Sequence, residues 1–183
     1  LVMKTRIYSI LGTTLDVVSK RKGKYEKRWE KWRPTISIGQ RPDDLKVDEL
    51  VLLCAEKDRA LAENLKEDFI SISTNTSIRI ECLSFENPWD LETSYIELKE
   101  FIDRERFVKN DDNYFHITTG SHINQIVIFL LSESRVFPGK LLQTAPPTGT
   151  DPIPRHQIID LDLSKYDEIS SRFNEDKLEA TEF

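Results

Sequence analysis

Hydrophobic and polar positions along this chain alternate between two rhythms. Glu49-Leu-Val-Leu-Leu-Cys-Ala55 is apolar almost without a break, as expected of a strand covered on both faces. Thr5–Leu11, Ser77–Leu83, Lys140–Thr144 and Gln157–Leu163 read as further strands. So does Asn113–Thr119, where Tyr114, Phe115, Ile117 and Thr118 are aromatic or β-branched. Between the strands the apolar spacing lengthens to that of a helix. Leu61, Leu65, Phe69 and Ile72 form one stripe, and Leu91, Tyr95, Leu98 and Ile102 a second. Ile123, Ile126, Val127 and Leu130 form a third, and Tyr166, Ile169 and Phe173, after a Ser164 cap, a fourth. Asn87-Pro88-Trp89-Asp90 reads as the start of the second helix, with Asn87 as cap, Pro88 at N1 and Asp90 at N3. Thr35–Ile38, bracketed by Pro34 and Pro42, reads as a short edge strand inside a long excursion over 16–46.

Strand–helix alternation with apolar strands predicts an α/β fold, a Rossmann-like three-layer sandwich on a mainly parallel six-stranded sheet. Right-handed crossovers favour the strand order 3-2-1-4-5-6. No helix separates the fifth and sixth strands, and a parallel pair needs a crossover, so the sixth strand is expected antiparallel. One domain is expected over 1–163, with a helix and the start of a linker over 164–183.

In that order the first and fourth strands are neighbours at the point where ligands bind. Each ends in a glycine-hydroxyl turn. Gly12, Thr13 and Thr14 follow the first strand; Thr118, Thr119, Gly120, Ser121 and His122 follow the fourth, with Gln125 one turn into the next helix. A glycine lets backbone come close to a ligand. The leading N–H groups of a helix have no internal partner, and its dipole favours anions. A simple βα turn with a Thr or Ser cap would look the same; two such turns facing one crevice favour an anion site.

Composition narrows the chemistry. The 183 residues are 38% hydrophobic and 32% charged, without an apolar run long enough to span a membrane. Met3 is expected to be the natural start, and Leu1–Lys4 has no signal-peptide character, so a cytoplasmic protein is expected. Cys54 and Cys82 fall in strands and read as reduced thiols. The chain has no Gly-x-Gly-x-x-Gly, no Walker motif and no Gly-x-Ser-x-Gly, which argues against hydride transfer, NTP hydrolysis and acyl transfer. His116, His122 and His156 lack metal-ligand spacing, so no metal or cofactor is expected. His116 reads as a core residue, whereas His122 reads either as a ligand contact or as a surface residue.

The net charge of −6 hides an asymmetry: Lys20–Arg33 alone is +6. Tyr25, Trp29 and Trp32 are threaded through that stretch. Cations interleaved with aromatics suit single-stranded nucleic acid, whose bases stack between phosphate contacts. Lys24, Lys27, Arg28, Trp29, Lys31, Trp32 and Arg33 are therefore the expected RNA contacts. A solvated loop, or aromatics docked on the domain or a second subunit, is the plainer alternative.

Five segments resemble a known family. Lys31-Trp-Arg-Pro-Thr35, Asn87-Pro-Trp-Asp90, His116-Ile-Thr-Thr-Gly-Ser-His122, Leu142-Gln-Thr-Ala-Pro-Pro147 and Ile158-Ile-Asp-Leu-Asp-Leu-Ser-Lys-Tyr166 resemble the N-terminal sensor domain of the RtcR family. Those proteins are σ54-dependent activators of a bacterial RNA-repair operon. Their sensor is a CARF domain, a CRISPR-associated Rossmann-fold module, typically dimeric. The resemblance implies a homodimer that binds RNA with a 2′,3′-cyclic phosphate end, or cyclic oligoadenylate. It also implies control of a downstream AAA+ ATPase, with a DNA-binding domain and σ54 RNA polymerase as further partners. Gly12–Thr14 and Thr118–His122 sit where the family's ligand motifs lie; Trp32 and Arg33 follow from the Lys-Trp-Arg-Pro-Thr segment. Some CARF domains are ring nucleases that cleave cyclic oligoadenylate. Thr119, Ser121 and His122 would be the residues to align a 2′-hydroxyl in such a reaction.

Overall fold

A computed structural model describes residues 3–18 and 25–160. The expected C-terminal helix, residues 161–163 of the sixth strand and the expected contact Lys24 lie outside that range. The strands are β1 (Thr5–Ile10), β2 (Glu49–Ala55), β3 (Ser77–Leu83), β4 (Asp112–His116), β5 (Lys140–Ala145) and β6 (Arg155–Ile159). They form one sheet in the order β3-β2-β1-β4-β5-β6. All pairs are parallel except β5 with β6, whose antiparallel register sets Leu141 against Ile159. The helices are α1 (Pro34–Ile38), α2 (Arg59–Ile72), α3 (Leu91–Arg104) and α4 (His122–Glu133).

Alternate strand residues feed two cores. Ile7, Leu50, Leu52 and Leu142 pack with Leu65 and Phe69 of α2 on one face. Tyr8, Val51, Leu53 and Phe115 pack with Leu98 and Phe101 of α3 and Val127 and Ile128 of α4 on the other. The result is the expected three-layer α/β sandwich. Among the described residues no helix is long and apolar enough to cross a membrane.

Three local expectations are corrected. Thr35–Ile38 is not an edge strand: with Pro34 it forms α1, a helix whose every residue is buried. Pro34 suits N1, and the buried carboxylate of Asp16 accepts from the Thr35 N–H at 2.9 Å and from its hydroxyl at 2.7 Å. A partner nineteen residues away thus overrides β-branched propensity. The Asn87 turn precedes α3 rather than opening it. Asp90 is the cap, its carboxylate accepting from the Thr93 N–H at 2.8 Å. The apolar stripes are also out of phase. Ile72, Leu91, Ile126 and Leu130 are exposed, while Asp68, Ser94 and Asn124 point inward.

Candidate functional site

A cleft of about 370 Å³ opens beyond the C-terminal ends of β1, β2 and β4. Both glycine-hydroxyl turns line it. Gly12, Thr13 and Thr14 come from one side and Thr118–Ser121 from the other. β1 and β4 are paired neighbours, which brings residues more than a hundred positions apart into one wall.

The first turn is held from beneath. The Gly12 N–H donates to Asp16 Oδ2 at 3.1 Å, and the Asp16 N–H donates to the Gly12 carbonyl at 2.8 Å. Glycine is needed for space: a Cβ there would lie 2.8 Å from Asp16 Oδ2 and 2.9 Å from Thr119 Cγ2. Burial pushes the Asp16 carboxyl above its ordinary range, with the bonds from Thr35 and Gly12 pulling the other way.

From Asp16 a buried polar chain runs under the cleft. Thr35 gives its hydroxyl proton to Asp16, so the 3.2 Å contact between Ser9 and Thr35 is Ser9 donating. Ser9 Oγ lies 2.9 Å from His116 Nδ1, and His116 Nε2 lies 2.9 Å from Thr144 Oγ1, whose hydroxyl donates to Thr118 Oγ1 at 3.2 Å. The chain is centred on a neutral imidazole. Complete burial supplies one by pushing the His116 pKa down to about 3. His116 is the core residue its mid-strand position suggested.

In the second turn the hydroxyls are committed to the protein. Thr119 donates to the Ile10 carbonyl at 2.6 Å. Ser121 donates to the Pro88 carbonyl at 2.9 Å and caps α4 by accepting from the Asn124 N–H at 3.0 Å. Thr118 accepts from the Thr144 N–H at 2.8 Å. Gly120 lines the cleft just before α4. Gly120 has φ +92°, a conformation that favours glycine, and the N–H groups of His122 and Ile123 begin α4 without intrahelical partners. Thr13 and Thr14 are exposed at the rim.

His122 and Gln125, grouped with the turn in sequence, are not among the cleft-lining residues. His122 is exposed at the first position of α4. The structure adds lining that the sequence reading missed: Cys54 and Ala55 at the end of β2, Lys57 and Asp58 after it, and Phe85, Pro88 and Trp89 after β3. β2 and β3 also end at this face of the sheet, a signal available in the strand order. Asn124 lines the cleft too; it is 3% exposed, and its Oδ1 has no partner among the described residues.

The basic stretch divides. Arg33, expected on RNA, is buried, donating to Asp68 at 2.6 Å and to the Asp16 carbonyl at 2.7 Å. A guanidinium this far from solvent needs a carboxylate partner, and α2 supplies one. Arg28 donates to the other oxygen of Asp68 at 2.9 Å and lies over the Tyr25 and Trp29 rings. Lys31 donates to the carbonyls of Thr14 and Val17, closing the far end of the first turn. Trp32 is half-buried, while Lys27 and Trp29 are exposed. Cys54 and Cys82 are free thiols with Sγ atoms 3.6 Å apart.

Comparison with solved structures places the fold. The chain superposes on Csm6 of Enterococcus italicus, solved bound to cyclic hexa-2′-fluoro-hexa-dAMP, with a TM-score of 0.58 at 16% identity. The match covers 80% of this chain and 35% of that one. It superposes on Can2 of Sulfobacillus thermosulfidooxidans, solved with cyclic tetra-adenylate, with a TM-score of 0.50 at 10% identity, covering 77% of this chain and 32% of that one. In sequence it is 40% identical over 185 residues to the transcriptional regulatory protein RtcR of Escherichia coli, covering 98% of this chain. It spans 34% of that relative's length. Residues 3–183 match the family model described as RtcR, regulator of RNA terminal phosphate cyclase. The chain therefore belongs to the RtcR family of regulators of RNA terminal phosphate cyclase.

Proposed function

We propose that this chain is the ligand-sensing domain of a σ54-dependent transcriptional regulator. Its cleft takes an RNA end bearing a 2′,3′-cyclic phosphate, or a cyclic oligoadenylate. The observation that carries the reading is the meeting of the Gly12 and Gly120 turns at the start of α4, where backbone N–H groups and the helix dipole suit a phosphate. The bound cyclic oligonucleotides named for Csm6 and Can2 agree with it. In this proposal residues 1–163 are the sensing unit and 164–183 the segment that leads to an AAA+ domain.

Sensing fits better than catalysis. The Thr119 and Ser121 hydroxyls already donate to carbonyls, and His122 does not line the cleft. These commitments weigh against their aligning a 2′-hydroxyl for ring cleavage. A homodimer is part of the proposal, supported by α4, which exposes Ile126, Phe129 and Leu130 on one side. Lys27 and Trp29 extend the RNA contact outside the cleft, with Lys24 expected beside them.

Fluorescence anisotropy with three labelled probes tests the reading: RNA ending in a 2′,3′-cyclic phosphate, the same RNA ending in a 3′-hydroxyl, and cyclic tetra-adenylate. Preference for the 2′,3′-cyclic phosphate end over the 3′-hydroxyl end supports the first ligand; tight binding of cyclic tetra-adenylate supports the second. Equal weak binding of all three contradicts it. Linear product from cyclic tetra-adenylate would restore the nuclease reading.

A further inference from the structure

We propose that the cleft recognises a whole nucleotide, with its base stacked on Trp89 and a donor group of the same nucleotide received by Asn124. The proposal rests on the sensing function above and assigns it a base-recognition subsite.

Trp89 lines the cleft yet is 73% exposed. Its loop is nevertheless fixed in place. Ser121, the cap of α4, donates to the carbonyl of Pro88, the residue just before Trp89. Asp90, just after it, caps α3. Upstream, Glu97 accepts from the Ser84 hydroxyl at 2.7 Å and from the Phe85 N–H at 2.9 Å, and Phe85 sits at φ +42° and packs on the core beneath. An indole is thus presented to solvent at a set position relative to the phosphate-binding end of α4. Pre-organised aromatic faces are how proteins hold unpaired bases, since every base has a π-face to stack.

Asn124 provides a second, independent observation. Its side chain is buried against the cleft with Oδ1 lacking a partner among the described residues. A buried acceptor without a donor is costly in the free protein. Oδ1 is covered, so a ligand N–H or O–H in the cleft meets it once the Asn124 amide turns outward. An exocyclic amino group of the base has the required chemistry; the terminal ribose does not, because its 2′ and 3′ oxygens are both held in the cyclic phosphate. Lys57 adds positive charge on the β2 side of the same cleft.

Because Trp89 is exposed and away from both cores, Trp89→Ala should fold as wild type. The probe is a short oligoadenylate ending in a 2′,3′-cyclic phosphate, compared with the same RNA whose terminal residue is abasic. Trp89→Ala should bind the intact probe about ten- to a hundredfold more weakly. Trp89→Phe should recover most of that loss, and the two proteins should bind the abasic probe alike. Asn124→Ala should bind more weakly without a lower melting temperature, since it removes an unsatisfied atom. Replacing the terminal adenine by unsubstituted purine, which removes the base amino group, should weaken wild type as Asn124→Ala does; unchanged affinity overturns the Asn124 contact. Wild-type affinity in Trp89→Ala, or an equal loss for the abasic probe, overturns the stacking platform while leaving the phosphate site intact. A dimer dissociated by Trp89→Ala, with affinity restored at high protein concentration, assigns the indole to a second copy instead. Wild-type protein that binds no probe overturns the sensing function itself.

Discussion

The floor and the rim of the cleft are built from the same residue types and do opposite work. On the floor, Thr119, Ser121, Thr118, Thr35 and Ser9 have hydroxyls bonded to carbonyls, a carboxylate or one another, around a neutral His116. On the rim, Thr13 and Thr14 are exposed beside Lys57 and Trp89. A hydroxyl-rich turn is therefore not in itself a set of ligand donors. The floor hydroxyls hold the turns in shape, and the backbone and rim are left for the ligand. The basic stretch repeats the pattern: Arg33 and Arg28 are consumed by Asp68, while Lys27 stays in solvent.

The largest expected effect falls on the floor. Asp16→Ala leaves the Gly12 and Thr35 donors unpaired in a buried site, and a lost partner costs about 1–3 kcal/mol per donor. Urea unfolding should show a loss of roughly 3–5 kcal/mol. A loss below 1 kcal/mol would mean that Asp16 does not hold the turn.

The floor should also respond to pH. The unfolded chain protonates His116 near pH 6.5, whereas the folded imidazole resists protonation down to about pH 3. The folded state thus binds fewer protons, and its stability should fall as pH drops below 6.5, by up to roughly 1.4 kcal/mol per unit. Asp16 acts oppositely, since its raised pKa favours the folded state as pH falls toward 4. His116→Gln keeps a donor and an acceptor but does not titrate, so its pH profile between 6.5 and 4 should be flatter than wild type. An identical profile would exclude His116 as the source.

A matched pair separates floor from rim more finely. Thr119→Val should cost about 1–2 kcal/mol of stability by leaving the Ile10 carbonyl unpaired, with little direct effect on ligand affinity. Thr14→Val should leave the melting temperature unchanged and weaken cyclic-phosphate RNA about tenfold, through loss of a charge-assisted hydrogen bond. The reverse result would exchange the two roles.

The smallest effect is expected outside the cleft. Lys27→Ala should reduce the salt dependence of RNA binding by about 0.7 in log–log slope, with stability unchanged. An unchanged slope would place Lys27 away from the nucleic acid.

Most of the fold was legible because it depends on runs and spacing. β2 and β3 have the bounds their apolar stretches suggested, and the strand order follows from crossover handedness and the missing helix before β6. The helix phases were less legible. α4 is apolar nearly all round, so its sequence has no clear inward direction, and Ile126 and Leu130 turned outward. α1 was misread because the carboxylate that supports it lies in another segment. In the site, the two turns were visible as glycine and hydroxyl clusters flanking adjacent strands. The fate of their hydroxyls was not, because their partners Ile10, Pro88 and Thr144 are distant in sequence. Arg33 was misjudged similarly: a run of charge shows the cations but not Asp68, thirty-five positions away.

Backbone amides of the two turns and the exposed rim hydroxyl of Thr14, rather than the floor hydroxyls or the basic stretch, should meet the phosphate. Amide chemical-shift mapping by NMR, during titration with RNA ending in a 2′,3′-cyclic phosphate, reads this directly. The largest shifts should fall on Thr13, Thr14, Gly120, His122 and Ile123, with smaller ones near Trp89 and Lys27. Shifts confined to Tyr25–Arg33, with the amides of the Gly12 and Gly120 turns unmoved, would contradict a ligand site in this cleft.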